Sequence, residues 1–304
     1  MSTGTTVRGS TFGIFALLAA TLFWAGNYVV GGAAVSSISP LDLTASRWVI
    51  ALVPLLALAH LIEKPDWSAV ARSWPTMIAP ALLGLLAYNF LLYSALQHTT
   101  PVSASLINAF NPALISLAAA LFLQQRLNGT SIAGIGVALV GVLWVLSDGH
   151  PTALLSSGLG LGDLLMVGAI CAWTAYTLSG RRRSTIPPIT ATAVQALIVI
   201  VVLIPVVLLT GGPHIPTEPG TIWALLFVGL GPSVVSYVMW NKALTVIPPA
   251  RAGVFLNLIT VFTVVISVGL GQSFTLAQAI GGVTVIAGVV LTNLKALRRP
   301  TETT

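Results

Sequence analysis

The chain has 304 residues, of which 56% are hydrophobic and only 7% charged, and its net charge is +6. A water-soluble domain carries about 25% charged residues, so this composition excludes a water-solvated globule and fits a protein whose solvent is lipid. The positive charges cluster at segment ends, where they set topology, which excludes the nucleic-acid reading that +6 would carry in a soluble protein.

Ten apolar segments fill the chain, at 12–34, 41–62, 74–97, 101–123, 130–147, 160–180, 189–211, 220–244, 249–271 and 276–297. Each approaches the roughly 20 residues that a bilayer span requires. In hydrocarbon the backbone must satisfy its own hydrogen bonds, so each segment reads as a helix. The first is too long for a signal-peptide core, only Arg8 precedes it, and it is read as a retained span.

Segment one places Trp24, Asn27 and Tyr28 at i, i+3 and i+4, on one helix face. Segment two carries Asp42 and Arg47 in its first half, with two readings open. One is local pairing with a snorkelling Arg47; the other is capture of a substrate carboxylate at the outer mouth. Segment three offers Tyr88 and Asn89, and segment four Ser105, Asn108 and Asn111 at threefold spacing. Pro112 cannot donate to the carbonyl of Asn108, which makes it a hinge candidate. Segment five has Gly134, Ala138 and Gly141, and segment ten Gly281 and Gly288. Small residues on one face let helices approach closely, so these two are read as scaffold that contact each other or a neighbour.

Segment six has Trp173, Tyr176 and Thr177, with Cys171 read as a small core residue. Arg181, Arg182 and Arg183 anchor the junction that follows. Segment eight presents Ser233, Ser236, Tyr237 and Trp240 beside a second hinge candidate, Pro232. Segment nine adds Asn257 and Thr260. Pro54, Pro80 and Pro205 mark further bend points in segments two, three and seven. Interfacial aromatics sit at segment ends, as Trp67, Trp74 and Trp223 do, whereas the polar-tipped aromatics above lie near mid-depth. The simplest arrangement points the polar faces of segments one, three, four, six, eight and nine into one central cavity.

The chain also repeats itself. Trp24 matches Trp173, Ala95-Leu96 and Pro101 match Ala243-Leu244 and Pro249, and Gln125, Gly134 and Gly141 match Gln272, Gly281 and Gly288. The units fall at 12–150 and 157–297, between tails at 1–11 and 298–304. Five spans per unit is odd, so the second unit is inverted relative to the first. The expected fold is therefore an all-α membrane protein with ten transmembrane helices in two inverted five-helix repeats. With the N-terminus inside, twelve of the thirteen Lys and Arg residues fall on the cytoplasmic side, Arg47 excepted. Both termini are expected to be cytoplasmic.

Reactive constellations are missing from the pattern. There is no phosphate-cradling loop, and His60, His98, His150 and His214 are scattered too widely for a metal site. No metal, cofactor or catalytic residue is expected, and nucleic acid is not a partner. The seven carboxylates all lie at segment ends or in loops. Proton-coupled pumps need an ionisable group inside the membrane, and cationic substrates a buried counter-ion.

The double unit resembles the EamA-type repeat of the drug/metabolite transporter superfamily. The likeness rests on the ends Leu-Gln-Gln-Arg-Leu (123–127) and Leu-Gly-Gln-Ser-Phe-Thr (270–275), on the glycines that follow them, and on Trp-Ala-Gly-Asn-Tyr (24–28). It covers residues 12–297, and within it the chain is most similar to bacterial aromatic amino-acid exporters. EamA repeats usually carry Glu where this chain has Gln125 and Gln272, so any coupling role of that Glu is absent here.

The resemblance implies a bacterial inner-membrane exporter of neutral, including aromatic, amino acids that works by alternating access and is not an enzyme. The residues expected to bind substrate are Trp24, Asn27, Tyr28, Tyr88, Asn89, Asn108, Asn111, Trp173, Tyr176, Tyr237, Trp240 and Asn257. Facilitated efflux without obligatory proton antiport is expected, in membrane lipid and with no oligomer required. The alternatives are an exporter of drugs or other small metabolites, and a proton-coupled antiporter. Nucleotide sugars are disfavoured because no basic group is expected in the cavity.

Overall fold

The computed structural model describes residues 3–150, 152, 159–179, 186–212, 216–247, 252–253 and 255–298. Outside them lie the arginine triplet 181–183, His214, Pro249 with Arg251, residues 299–304 and most of the junction between the halves.

Among the described residues, eight helices are long and apolar enough to cross a bilayer: α1 (Thr11–Ala34), α2 (Pro40–Glu63), α3 (Pro75–Leu96), α4 (Pro101–Leu123), α5 (Gly129–Leu146), α6 (Leu161–Ser179), α7 (Pro188–Leu209) and α8 (Pro219–Leu244). Two shorter apolar helices follow, α9 (Asn257–Gly269) and α10 (Leu276–Thr292). No strand occurs among the described residues. The surface is apolar: Leu209 is 88% exposed and Phe122 77%. Apolar surface on this scale needs lipid against it, which makes this a multi-pass membrane protein.

Local chemistry fixes the helix ends. Proline occupies the first turn of α2, α3, α4, α7 and α8, where its missing N–H costs nothing. Ser39, Thr100 and Asn128 cap α2, α4 and α5 by accepting from the N–H groups of Asp42, Ser103 and Ser131. The residue before α7 is Pro187, which has no capping side chain. Glu63, at the end of α2, supplies the cap instead and accepts from Ile189 N, Thr190 N and Thr190 Oγ1 at 2.8, 2.7 and 2.7 Å. A carboxylate at a helix N-terminus also meets the positive end of the macrodipole.

Contacts at the helix ends show the alternating course of the chain. The start of α1 meets the residues just after α8 (Gly13 against Val246 and Ile247), and the end of α1 meets the start of α4 (Gly32 against Pro101). The start of α6 sits against the residues just after α3 (Gly162 against His98 and Thr99).

The most extensive helix pair is α5 with α10, the two glycine-bearing elements. A Cβ at Gly288 would lie 2.6 Å from the Gly134 carbonyl oxygen, and one at Gly141 2.8 Å from that of Gly281. Ser131 Oγ closes one end of the seam by donating to Thr292 O at 2.8 Å. The two scaffold helices do contact each other, backbone to backbone.

Among the described residues, four helical segments are interrupted near their middles, in matched pairs. Segment four breaks at Ala109–Phe110, between helices Pro101–Asn108 and Asn111–Leu123. Segment nine breaks at Leu256, just before α9. In α3 the residues after Pro80 form a π-helical stretch, Ala81–Ala87; in α8, Pro232 lies within another, Gly231–Val235. A proline that withdraws its donor makes such wide turns possible. Pro54 and Pro205 bring no such break, since both sit inside continuous α-helix.

Two expectations need correction or detail. Cys171 is exposed rather than core. The buried face of α6 runs through Met166, Ala169, Ile170 and Thr174, and Cys171 is turned about 100° from Ile170. Gln125 and Gln272 both have exposed side chains in the turns after α4 and α9. Their backbone N–H groups each cap a last-turn carbonyl, that of Ala119 six residues back (3.3 Å) and that of Ser267 five residues back (2.9 Å).

Candidate functional site

The broken helices surround a cavity in the middle of the bundle, with about 690 Å³ of unfilled space, part of it open to the surroundings. Nine of the twelve expected residues line it: Trp24, Asn27, Tyr28, Tyr88, Asn108, Asn111, Trp173, Tyr237 and Asn257. Pro112 lines it as well, with Ala109, Ile115, Leu256 and Ile259. Convergence of the polar faces of α1, α3, α4, α6, α8 and α9 is thus the arrangement found.

The aromatic walls are built from paired rings. Trp24 meets Tyr237 edge-on at 5.8 Å and lies 5.5 Å from Trp240. Opposite them in sequence order, Tyr88, Trp173 and Tyr176 form a run with 5.0 Å between successive centroids. Such spacings are those of favourable aromatic pairs. Tyr176 and Trp240 therefore back the lining rings and do not line the cavity themselves.

Hydrogen bonds fix the polar tips. Trp24 Nε1 donates to the carbonyl oxygen of Pro232 at 3.1 Å, so the π-helical break in α8 supplies an acceptor to the cavity wall. Tyr28 and Tyr88 share a hydroxyl–hydroxyl bond of 3.0 Å, and Tyr88 donates onward to Asn108 Oδ1 at 3.4 Å. Thr174 Oγ1 donates to Asn111 Oδ1 at 3.1 Å. Asn257 Oδ1 is buried and has no hydrogen-bond partner among the described residues.

Asn89 departs from expectation. It is 3% exposed, lies behind the wall and accepts a hydrogen bond from Arg47 Nη1. Arg47 is the residue that sequence reasoning did not place here. It neither snorkels nor sits at a mouth: it is 3% exposed and lines the cavity. Its Nε donates to Ser233 Oγ at 3.0 Å and its Nη1 to the Tyr93 hydroxyl at 2.6 Å. Its guanidinium carbon lies 5.0 Å from the Trp48 ring and 5.7 Å from that of Tyr93. Asp42, the partner considered from sequence, accepts from Ser39 Oγ at 2.7 Å. The reason is geometric: five residues along a helix is about 500°, so Asp42 and Arg47 point 140° apart. The signal available in the sequence was the charge itself, since an arginine well inside an apolar segment marks a functional position by default. The expectation of a cavity without a basic group is therefore overturned.

A bundle of apolar helices with proline-broken members around a central aromatic and polar cavity defines a polytopic membrane transport protein. The chain belongs to the EamA-like transporter family, which it matches over residues 11–147 and 160–294. It is 29% identical to the uncharacterized transporter YyaM of Bacillus subtilis, over 90% of this chain and 91% of that one. It is 27% identical to a probable terminal-alkyne amino-acid exporter of Streptantibioticus cattleyicolor, over 95% and 96%. It is 26% identical to the aromatic amino acid exporter YddG of Ancylobacter novellus, over 73% and 76%. A crystal structure sharing 22% identity superposes with a TM-score of 0.67 over 96% of this chain and 99% of the other, a likeness of fold.

Proposed function

We propose that this protein exports neutral amino acids, aromatic ones included, across a bacterial inner membrane. In this reading ten helices span the bilayer as two inverted five-helix repeats, with both termini cytoplasmic. The observation that carries it is the cavity, whose aromatic walls from α1, α3, α6 and α8 enclose an apolar side chain while asparagines and an arginine address the polar end. Two relatives named as amino-acid exporters support the substrate class. A cationic drug is disfavoured because the charged side chain lining the cavity is itself a cation, Arg47.

Alternating access would use the matched breaks. Rocking about Ala109–Phe110 beside Pro112 and about the π-helical turn at Pro232 would open the cavity to each side in turn. The lining residues carry no acid to load and unload a proton, which favours facilitated efflux down the substrate gradient.

The test is counterflow in proteoliposomes loaded with unlabelled phenylalanine, tryptophan, threonine or methionine, with labelled substrate outside and no ion gradient. Saturable uptake that depends on internal substrate is expected, and an imposed proton gradient should leave it unchanged at fixed substrate gradient. No uptake of any amino acid by folded protein would move the reading to another small metabolite. Arg47 leaves room for one that is anionic.

A further inference from the structure

We infer that Arg47 anchors the substrate carboxylate and that Asn257 receives the substrate ammonium, so that the cavity selects zwitterionic α-amino acids over amines and over simple carboxylic acids. The inference rests on the amino-acid reading above and adds to it the atoms that make the selection.

A guanidinium offers five N–H donors and stays charged at any physiological pH. Three of the five are engaged here, one from Nε to Ser233 and two from Nη1 to Asn89 and Tyr93. All three partners are neutral. The two donors on Nη2 have no hydrogen bond among the described residues, and the side chain faces the cavity. A buried charge held only by neutral groups is costly, and the cost falls sharply when an anion binds to it.

The neutral partners are themselves fixed from three directions. Tyr93 donates to Asn27 on α1 at 2.8 Å, Asn89 to Leu85 O at 2.7 Å, and Ser233 to Val228 O at 2.7 Å. The guanidinium is thus pre-oriented by α1, α3 and α8 before any guest arrives, which lowers the cost of binding. A merely structural arginine would spend its donors on the scaffold; this one keeps an edge free toward the cavity.

The second pole is an acceptor. Asn257 is 6% exposed and lines the same cavity, and its Oδ1 lacks a donor among the described residues. By contrast, the Asn108 and Asn111 oxygens already accept from Tyr88 and Thr174. An unmet buried acceptor is costly, and a substrate ammonium brings the missing donor. One cation with open donors and one open acceptor in a single aromatic-walled cavity match the two ends of an amino acid.

The experiment measures competition against labelled phenylalanine counterflow by phenylalanine, phenylalaninamide, phenethylamine and 3-phenylpropionate. In the wild type, loss of either charged end should weaken competition roughly tenfold or more. Arg47→Gln should weaken phenylalanine about as much while leaving phenylalaninamide unchanged, which collapses the discrimination between them. Asn257→Leu should erase the preference over 3-phenylpropionate. Should Arg47→Gln not fold, thermal stabilisation of the wild type by phenylalanine but not by phenylalaninamide carries the same information. Equal competition by phenylalanine and its amide in the wild type, or discrimination that survives in a folded Arg47→Gln, overturns the anchor while amino-acid transport stands. Loss of the transport reading looks different: the wild type carries no amino acid at all, and the zwitterion assignment falls with it.

Discussion

Gly288→Ala tests the backbone seam that joins the two halves of the bundle. The added methyl would lie 2.6 Å from the Gly134 carbonyl oxygen and 2.7 Å from Ala138 Cα. Ordinary contact begins near 3.4 Å, and both neighbours are backbone, so no side chain can swing aside. The helices must part by close to 1 Å, and a displacement of that size forfeits much of the dispersion energy at every neighbouring contact. Overpacking of this kind costs about 1–3 kcal/mol. In lipid there is little hydrophobic force between helices to compensate, because packing is what holds them. Gly136→Ala is the internal control. It lies on α5, the partner of α10 in this seam, has nothing within 4 Å of an added Cβ, and gains up to about 1 kcal/mol of helix propensity. Thermal unfolding of the purified protein in detergent should show Gly288→Ala lowered by several degrees, at about 2–4 °C per kcal/mol, and Gly136→Ala unchanged or raised. Equal melting temperatures for the two variants would falsify the claim that α5 and α10 are in backbone contact.

Two further predictions concern the cap and the hinge. Glu63→Ala removes three hydrogen bonds from the first turn of α7 and should cost about 2 kcal/mol. Hydrogen exchange at Ile189 and Thr190 should accelerate, and unchanged exchange there would show that the turn is capped by other means. Pro112→Ala restores an N–H to the second half of the broken α4 and should stiffen it. Slower counterflow with unaltered half-saturation is the expected result, and wild-type turnover would remove Pro112 from the proposed hinge.

Much of the architecture was legible because its causes are local. Apolar runs of span length, prolines at first turns, and Ser39, Thr100 and Asn128 at helix starts act over four residues or fewer. The repeat was legible because Trp24 and Trp173, or Gly141 and Gly288, recur at nearly constant offset. Spacing also settled which residues share a face: Trp24, Asn27 and Tyr28 reach the cavity together.

Which way a face points is another matter, and only the tertiary structure decided it. In water, an apolar stripe identifies the buried side of a helix. In lipid both sides of α2 and α6 are apolar, so neither the inward turn of Arg47 nor the outward turn of Cys171 can be read from periodicity. Depth behind the wall was equally hidden. Asn89 is adjacent to Tyr88, yet one residue of helix rotation takes it out of the cavity and onto the arginine. Glu63, an ordinary segment-end acid in the sequence, became a cap because α7 happens to begin beside it. The sequence by itself determined the helices, their order and their duplication, which follow from lipid solvation and short-range hydrogen bonding. The placement of a single positive charge in the cavity required six other helices to be packed around that cavity.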